Sequence, residues 1–353
     1  MNNIENQVGI RGENPFDKAQ HLRSALRRAI DQNPADALLL SGGIDSSVLA
    51  AMDPKTPAIT VVLENRGVDL RHAQKVTEHL GTPWYPVEIT QQQALQNMQE
   101  IISLTESYDP ATSNDIPIYE GLKYAASRGF RTIRTGDAAD TIFIGYSYLQ
   151  QSDIDFKKYL KEVIPQIRLS SSRLGRVMGM RMSYPYLYGE VLDFALSLEP
   201  EENTALLSLG AGDYVQLSDI EQRGINTWGK IPLRNAAYGL LANEIIWRIK
   251  TDLQFGSGAS TLEDYLEQTA TREEVEQMKQ SGKHFWNKYH GRLYLMYLEM
   301  GLGPKQPQEG EYGCSWCGGG IPIGRGHCHT CGYHKSVGEI ATTFVKEYPE
   351  DKP

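Results

Sequence analysis

Short apolar runs alternate with amphipathic stretches through the first 136 residues, and this most constrains the fold. Leu22, Leu26 and Ile30 recur at helical spacing within residues 18–32. Ala37–Leu40 is a short apolar run that ends at Ser41-Gly42-Gly43, and Ser46–Met52 then reads as a helix. Ala58–Leu63 predicts a second strand, 69–81 a helix with Gly81 past its end, and Trp84–Ile89 a third strand. A helical stretch runs on to about 104, another covers 120–129, and 131–136 predicts a strand entering a second glycine-containing loop. Strand and helix in alternation call for a mostly parallel sheet covered by helices on both faces. Ligands of such sheets bind beyond the C-terminal strand ends, where the loops 41–47 and 135–140 fall. From about 153 to 300 the pattern is mainly helical. From about 304 it turns rich in Gly, Pro, Cys and His, which places a boundary near 303. The expected division is a polar lead-in at 1–17, a main domain at 18–303, a small cysteine domain at 304–340 and a tail at 341–353.

Composition sets the class. The chain has 353 residues, 40% of them hydrophobic and 22% charged, enough apolar material for a sizeable core. It has no apolar run of membrane-spanning length, and residues 1–18 lack the apolar and basic regions of a secretory signal, so none is expected there. Together these point to a cytosolic protein. A net charge of −9 disfavours general nucleic-acid binding.

In Ser41-Gly42-Gly43-Ile44-Asp45-Ser46-Ser47 a strand feeds a Gly-Gly turn and a helix start. Glycines let the backbone approach an anion, and the first helical N–H groups with the Ser41, Ser46 and Ser47 hydroxyls can hold phosphate. Asp45 repels phosphate, so its fitting task is to hold Mg²⁺. The loop lacks Gly-Lys-Ser/Thr and is not a Walker motif. The same residues also fit an ordinary strand-to-helix turn capped by Asp45.

Cys314-Ser-Trp-Cys317 and Cys328-His-Thr-Cys331 are two C-x₂-C pairs, ten residues apart, each followed by Gly. These are the only cysteines, so they form one local site, not a disulfide framework. Four thiolates suit tetrahedral Zn²⁺ in a closed, structural set, with rubredoxin-like iron or a reactive dithiol as alternatives. His327, His329 and His334 are possible substitute ligands that the spacing does not require. Residues 305–353 carry five Lys/Arg and six Asp/Glu, so a nucleic-acid role is not favoured over protein docking, a substrate lid or simple stapling.

The SGGxDS loop resembles that of the N-type ATP pyrophosphatases, which cleave ATP to AMP and pyrophosphate. Residues 135–149 (TGDAADTIFIGYSYL) resemble the SGEGSDE-x-FGGY segment of the synthetase domain of asparagine synthetases. The stretches 69–81, 106–119, 181–195, 230–237 and 242–250 resemble further segments of that family in the same order. The likeness spans about residues 20–260 and implies an adenine nucleotide alpha hydrolase-like (HUP-type) fold, and the cysteine segment resembles a zinc ribbon. It implies that Leu40 and Val61 sit by the adenosine. Ser41, Gly42, Gly43, Asp45, Ser46 and Ser47 would hold pyrophosphate, Asp45 and Asp140 would share Mg²⁺, and Gly136 would approach the nucleotide. Lys250 matches a lysine that stabilises phosphate charge, and Arg248 and Arg234 would face phosphate or a substrate carboxylate, or form surface ion pairs. Glu106, Tyr108 and Asp115 could line the acyl-acceptor pocket, or serve loop structure and capping.

Departures are informative. Asp137 stands where these synthetases carry Glu, and it remains a possible base for an amine. Thr141 and Tyr188 replace acidic residues. Position 2 is Asn where the glutaminase half has its nucleophilic Cys, so no glutaminase half is expected in the lead-in. The expectation is an ATP-dependent carbon–nitrogen ligase that adenylates a carboxylate and passes the acyl group to free ammonia, ammonia from a separate glutaminase, or another amine. Its cofactors would be ATP, Mg²⁺ and Zn²⁺. The alternatives are a sulfurtransferase acting on RNA or a small molecule, and a non-catalytic interaction protein.

Overall fold

The computed structural model describes residues 14–334 except 65, 147, 148, 150–154, 207–226, 249 and 250. Helix α1 (Pro15–Gln32) starts at Asn14, whose side chain accepts from the Phe16 N–H, with Pro15 in the first turn. Its buried face is Leu22, Leu26 and Ile30 with the alanines between them. Then follow β1 (Ala37–Leu39), α2 (Ile44–Met52), β2 (Ala58–Leu63), α3 (Asp69–Leu80), β3 (Trp84–Ile89), α4 (Gln91–Thr105), α5 (Thr112–Ser127), β4 (Thr132–Arg134), α6 (Ala139–Ile142) and β5 (Arg181–Ser183).

The five strands form one sheet in the order β3-β2-β1-β4-β5. β1 pairs parallel with both β2 and β4, with Leu38 opposite Ala58 and Arg134, and β4 pairs parallel with β5. Connections run one way from β1 to β2 and β3, and the other way to β4 and β5. The crevice beyond the C-terminal ends of β1 and β4 is therefore the topological switch point. That order brings the 41–47 and 135–140 loops side by side.

Two differences from the sequence reading stand out. β5 adds a strand inside the half expected to be mainly helical. It has only three residues, too few to show a period of two, and it exists because β4 offers it an edge. Helix α5 starts at Thr112, eight residues before the expected helix, and carries Pro117 inside it. Asp109 makes that earlier start possible, as its carboxylate accepts from the Ala111 N–H at 2.9 Å and its carbonyl from the Thr112 N–H at 3.0 Å.

The chain divides into two compact units, one comprising residues up to Thr60, Asp69–Val87 and Gly121–Thr251, the other Val61–Val68, Glu88–Glu120 and residues from Asp252. The first has a core of Leu22, Leu26, Leu38, Val48, Leu49, Phe143, Tyr186 and Leu233, among others. In the second, α4 and the helix Ser260–Gln268 pack on the helix Lys288–Glu299. Tyr289, Leu293 and Tyr297 of that last helix are buried, as are Met98, Ile101 and Leu262. Among the described residues no helix is long and apolar enough to cross a membrane.

Candidate nucleotide site and four-cysteine site

Gly42 adopts φ +71°, and a Cβ there would stand 2.5 Å from the Ala73 nitrogen and 2.7 Å from the His72 Cβ. Only glycine lets the loop lie this close to α3. The Ser41 hydroxyl accepts from the Gly43 N–H at 3.3 Å and lies 3.3 Å from the Ser46 hydroxyl, which donates to the Gly43 carbonyl. The Ser47 hydroxyl is buried and has no hydrogen-bond partner among the described residues. The loop thus offers hydroxyls and a helix start in a glycine-shaped cradle, as anion binding requires.

Gly136 meets this cradle from β4. A Cβ on it would lie 3.1 Å from both the Asp45 Cβ and the Ser46 nitrogen. Asp45 and Asp140 converge on one cation, the Lys230 ammonium. Its Nζ lies 2.7 and 2.5 Å from the two Asp45 oxygens and 2.8 Å from Asp140 Oδ1, and the lysine side chain is only 4% exposed. Lys230 has φ +61° and Ala138 has φ +74°, left-handed values that cost a non-glycine residue about 1–2 kcal/mol. The pattern that residues 135–149 resemble has Gly at the Ala138 position. Strain at both ends of one ion-pair cluster marks backbone bent to bring these charges together.

Asp137 turns elsewhere. Its carboxylate accepts from the Thr135 hydroxyl at 2.8 Å and from the Ser171 hydroxyl, whose oxygen lies 3.0 Å from the Tyr184 phenol. Ser171 donates to Asp137, so Tyr184 donates to Ser171, and the three form a relay. Burial pushes the Asp137 carboxyl above its usual value against these two hydrogen bonds, and burial raises the Tyr184 phenol to about 12.

Arg248 donates to the Ser41 carbonyl at 2.8 Å and to Asp69 at 2.6 Å, tying the loop to the start of α3. Asp69 is buried, which raises its carboxyl, while Arg248 pulls it down. On the same helix, burial with Arg248 and Lys75 nearby lowers His72 to about 4, so it is neutral at pH 7. Arg234 is not at the surface. It is buried, its guanidinium 4.7 Å from the Trp228 ring centroid and 5.4 Å from that of Trp247, and it donates to the Gly229 and Ile246 carbonyls. Burial lowers it to about 10. Leu40 is buried, its N–H donating to the Ile59 carbonyl and its carbonyl accepting from Thr60. Val61 is buried on β2. Tyr188 starts the helix Gly189–Ser197 and hydrogen-bonds Gln32. Thr141 is buried within α6. Lys250 lies outside the described residues.

The second unit holds the thiols. Cys314, Cys317, Cys328 and Cys331 are all buried, and their sulfurs lie within 4.8 Å of one another. Cys314 and Cys331 are 3.7 Å apart, Cys317 and Cys328 3.6 Å. Gly318 (φ +82°) and Gly332 (φ +74°) turn the chain after each pair, and the Gly319 N–H points at the Cys317 sulfur at 3.3 Å. Four converging sulfurs with a backbone donor form a donor set that fits a soft tetrahedral cation. Hydrogen bonds from Cys317, Cys328 and Cys331 hold the Cys314 thiol far below its usual value.

Tyr108 lies in the turn between α4 and α5. Its ring is fully buried among His290, Tyr294 and Tyr297, and burial with the nearby cysteines pushes its phenol far above the usual value. Glu106 ends α4 at φ +47° and pairs with Lys305 on the surface. Asp115 lies half-buried in the first turn of α5.

Sequence reading missed Lys230 as a site residue, although one signal was visible, a lysine set before the apolar, proline-started helix Ile231–Ala237. Ser171 and Tyr184 gave no such signal, because they lie 34 and 47 positions from Asp137 and only β5 and the helix before it carry them there.

Residues 18–174 and 155–294 match the family described as Asparagine synthase. Among similar curated proteins, the glutamine-hydrolysing asparagine synthetase B of Escherichia coli (strain K12) is 24% identical over 300 residues, covering 77% of this chain and 50% of its own. The glutamine-hydrolysing asparagine synthetase of Gallus gallus is 27% identical over 269 residues, covering 69% and 45%. The chain thus spans half or less of these relatives. Among solved structures, the glutamine-dependent NAD⁺ synthetase from Acinetobacter baumannii in complex with ADP aligns over 86% of this chain and 48% of its own, with a TM-score of 0.31 and 14% identity.

Proposed function

Because the chain belongs to the asparagine synthase family, we propose that it is an ATP-dependent ligase that activates a carboxylate as its acyl-adenylate and passes the acyl group to ammonia or another amine. A carboxylate oxygen attacks the α-phosphorus of ATP, and the bond to pyrophosphate breaks. The amine then attacks the acyl carbon, AMP leaves, and the surplus amine proton goes to a base. The observation that carries this reading is the convergence of Asp45 and Asp140 on Lys230 beside the Ser41–Ser47 cradle.

In this reading Ser41, Ser46 and Ser47 with the start of α2 hold the pyrophosphate oxygens. Asp45 and Asp140 fit Mg²⁺, since two carboxylates already converge on one cation, and Mg²⁺ would neutralise phosphate charge there. Lys230 turns its ammonium to the phosphates as charge builds on the leaving group, and Lys250 is proposed to join it. Arg248 keeps the loop in position through the Ser41 carbonyl. Asp137, whose carboxyl burial raises above its usual value, takes the amine proton, with Ser171 and Tyr184 as its relay. The four thiols hold Zn²⁺ as a closed structural site. The amine source, whether free ammonia or a separate glutaminase, and a cytoplasmic location belong to the same proposal.

The test is pyrophosphate release from Mg-ATP with candidate acids and amines added one at a time, beside Asp45→Ala. Release that depends on the acid and is lost in the variant supports the ligase. Release only with RNA and a sulfur donor replaces it with a sulfurtransferase.

A further inference from the structure

The four-cysteine segment has a partner within its own chain. The turn Ser107–Asp109, between α4 and α5, lies against the second knuckle, Cys328–Gly332. The Tyr108 N–H donates to the Thr330 carbonyl at 2.8 Å, and the Ser107 hydroxyl donates to the His329 carbonyl at 2.7 Å. Gly332 has no room for a side chain, because a Cβ there would stand 2.6 Å from an Asp109 carboxylate oxygen. The other Asp109 oxygen lies 3.5 Å from His327 Nε2. Tyr108 then inserts its whole ring behind the knuckle, against the aromatic side chains of the helix Lys288–Glu299.

The same turn is held from its far end. The Tyr289 hydroxyl donates to the Pro110 carbonyl at 3.1 Å, Ser113 donates to Glu263, and the Asn114 side chain accepts from the Gln254 N–H at 3.2 Å. Asp109 meanwhile caps the approach to α5, so whatever fixes Asp109 fixes where that helix begins. A free docking module would leave its knuckle carbonyls to solvent or a partner. Here the carbonyls of residues 329 and 330 are already accepting from the chain.

We infer that the zinc-ribbon knuckle is an internal clamp whose bound partner is the chain's own Ser107–Asp109 turn, and that metal loading sets the register at which α5 starts. It rests on the zinc reading of the thiols, not on the ligase reading, since neither the clamp nor its test involves a substrate.

The test uses the full-length chain, with zinc content by atomic emission and peptide-resolved hydrogen exchange. Removing zinc with a chelator should speed exchange at Tyr108 and Thr112 by about tenfold or more and leave residues 37–60 unchanged, with reversal on zinc return. The double variant Ser107→Ala/Asp109→Ala should keep its zinc, speed exchange over 107–116, and loosen residues 328–333. Unchanged exchange at Tyr108 after zinc loss overturns the clamp, as does an equal rise over 37–60, which would make the metal a general stabiliser. Protein that takes up no zinc refutes the metal reading alone. The double variant then decides the clamp by whether 328–333 loosens with 107–116.

Discussion

The cradle at the end of β1 and the four-cysteine site both gather charge-bearing groups around glycine turns, yet their groups are arranged in opposite ways. In the cradle the charges are paired with each other, Asp45 and Asp140 with Lys230, and the Ser47 hydroxyl has no partner among the described residues. Such a set can exchange its internal pair for a ligand that comes and goes. At the cysteine site all four donors are buried and aimed at one another, and the backbone around them is committed to Ser107–Asp109. That set suits a cation that stays. A site for a transient ligand holds partners it can release, whereas a permanent one is closed and tied into its surroundings.

The largest effect that would sharpen this contrast is Cys331→Ser. Zinc content should fall to zero and the second unit should melt well before the first, since structural zinc supplies on the order of 10 kcal/mol of folding energy. An unchanged melting profile breaks the contrast. Next, Lys230→Ala should lower acid-dependent pyrophosphate release about 100- to 1000-fold without lowering the melting temperature of the first unit. A loss of folding instead would make Lys230 a structural ion-pair member.

Asp137→Asn should cost roughly 100-fold in kcat/KM and remove the acid limb of its pH profile. The sign follows from burial. Asp137 is raised, its ionised form is the base, and activity falls as pH drops through that raised value. Ser171→Ala removes a hydrogen bond that favours the ionised form, so the limb should move to higher pH, and a fixed limb would take Ser171 out of the relay.

Arg234→Met should cost about 3 kcal/mol in urea unfolding, because it strands the Gly229 and Ile246 carbonyls in a buried place. The smallest change is a gain. Ala138→Gly relieves a left-handed φ and should stabilise the first unit by about 1 kcal/mol. Lower stability in that variant would mean that the alanine methyl packs more tightly than the strain it causes.

Much of the fold was legible because its elements carry their own periods. The helical spacing of Leu22, Leu26 and Ile30, and the mostly apolar Ala58–Leu63, dictate elements whose burial matches. Short elements such as β5 were not legible, since three residues show no period and pairing with β4 decides them. In the site, Asp45 and the serines stood out because one glycine loop contains them all. Arg234 could not be placed, because an arginine among Ile, Pro, Leu and Asn reads the same whether it faces a phosphate or two indole rings.

By itself the sequence determined the α/β alternation, the glycine loop at a strand end and the four clustered thiols. Each is written in contiguous residues whose spacing has direct physical meaning. Only tertiary structure decided that Lys230 reaches Asp45 across 185 positions, that Ser171 meets Asp137, and that Tyr108 packs beside the four cysteines with its N–H on the Thr330 carbonyl. These meetings depend on strand order and helix packing, and no local spacing encodes which distant side chains those will bring within hydrogen-bond reach.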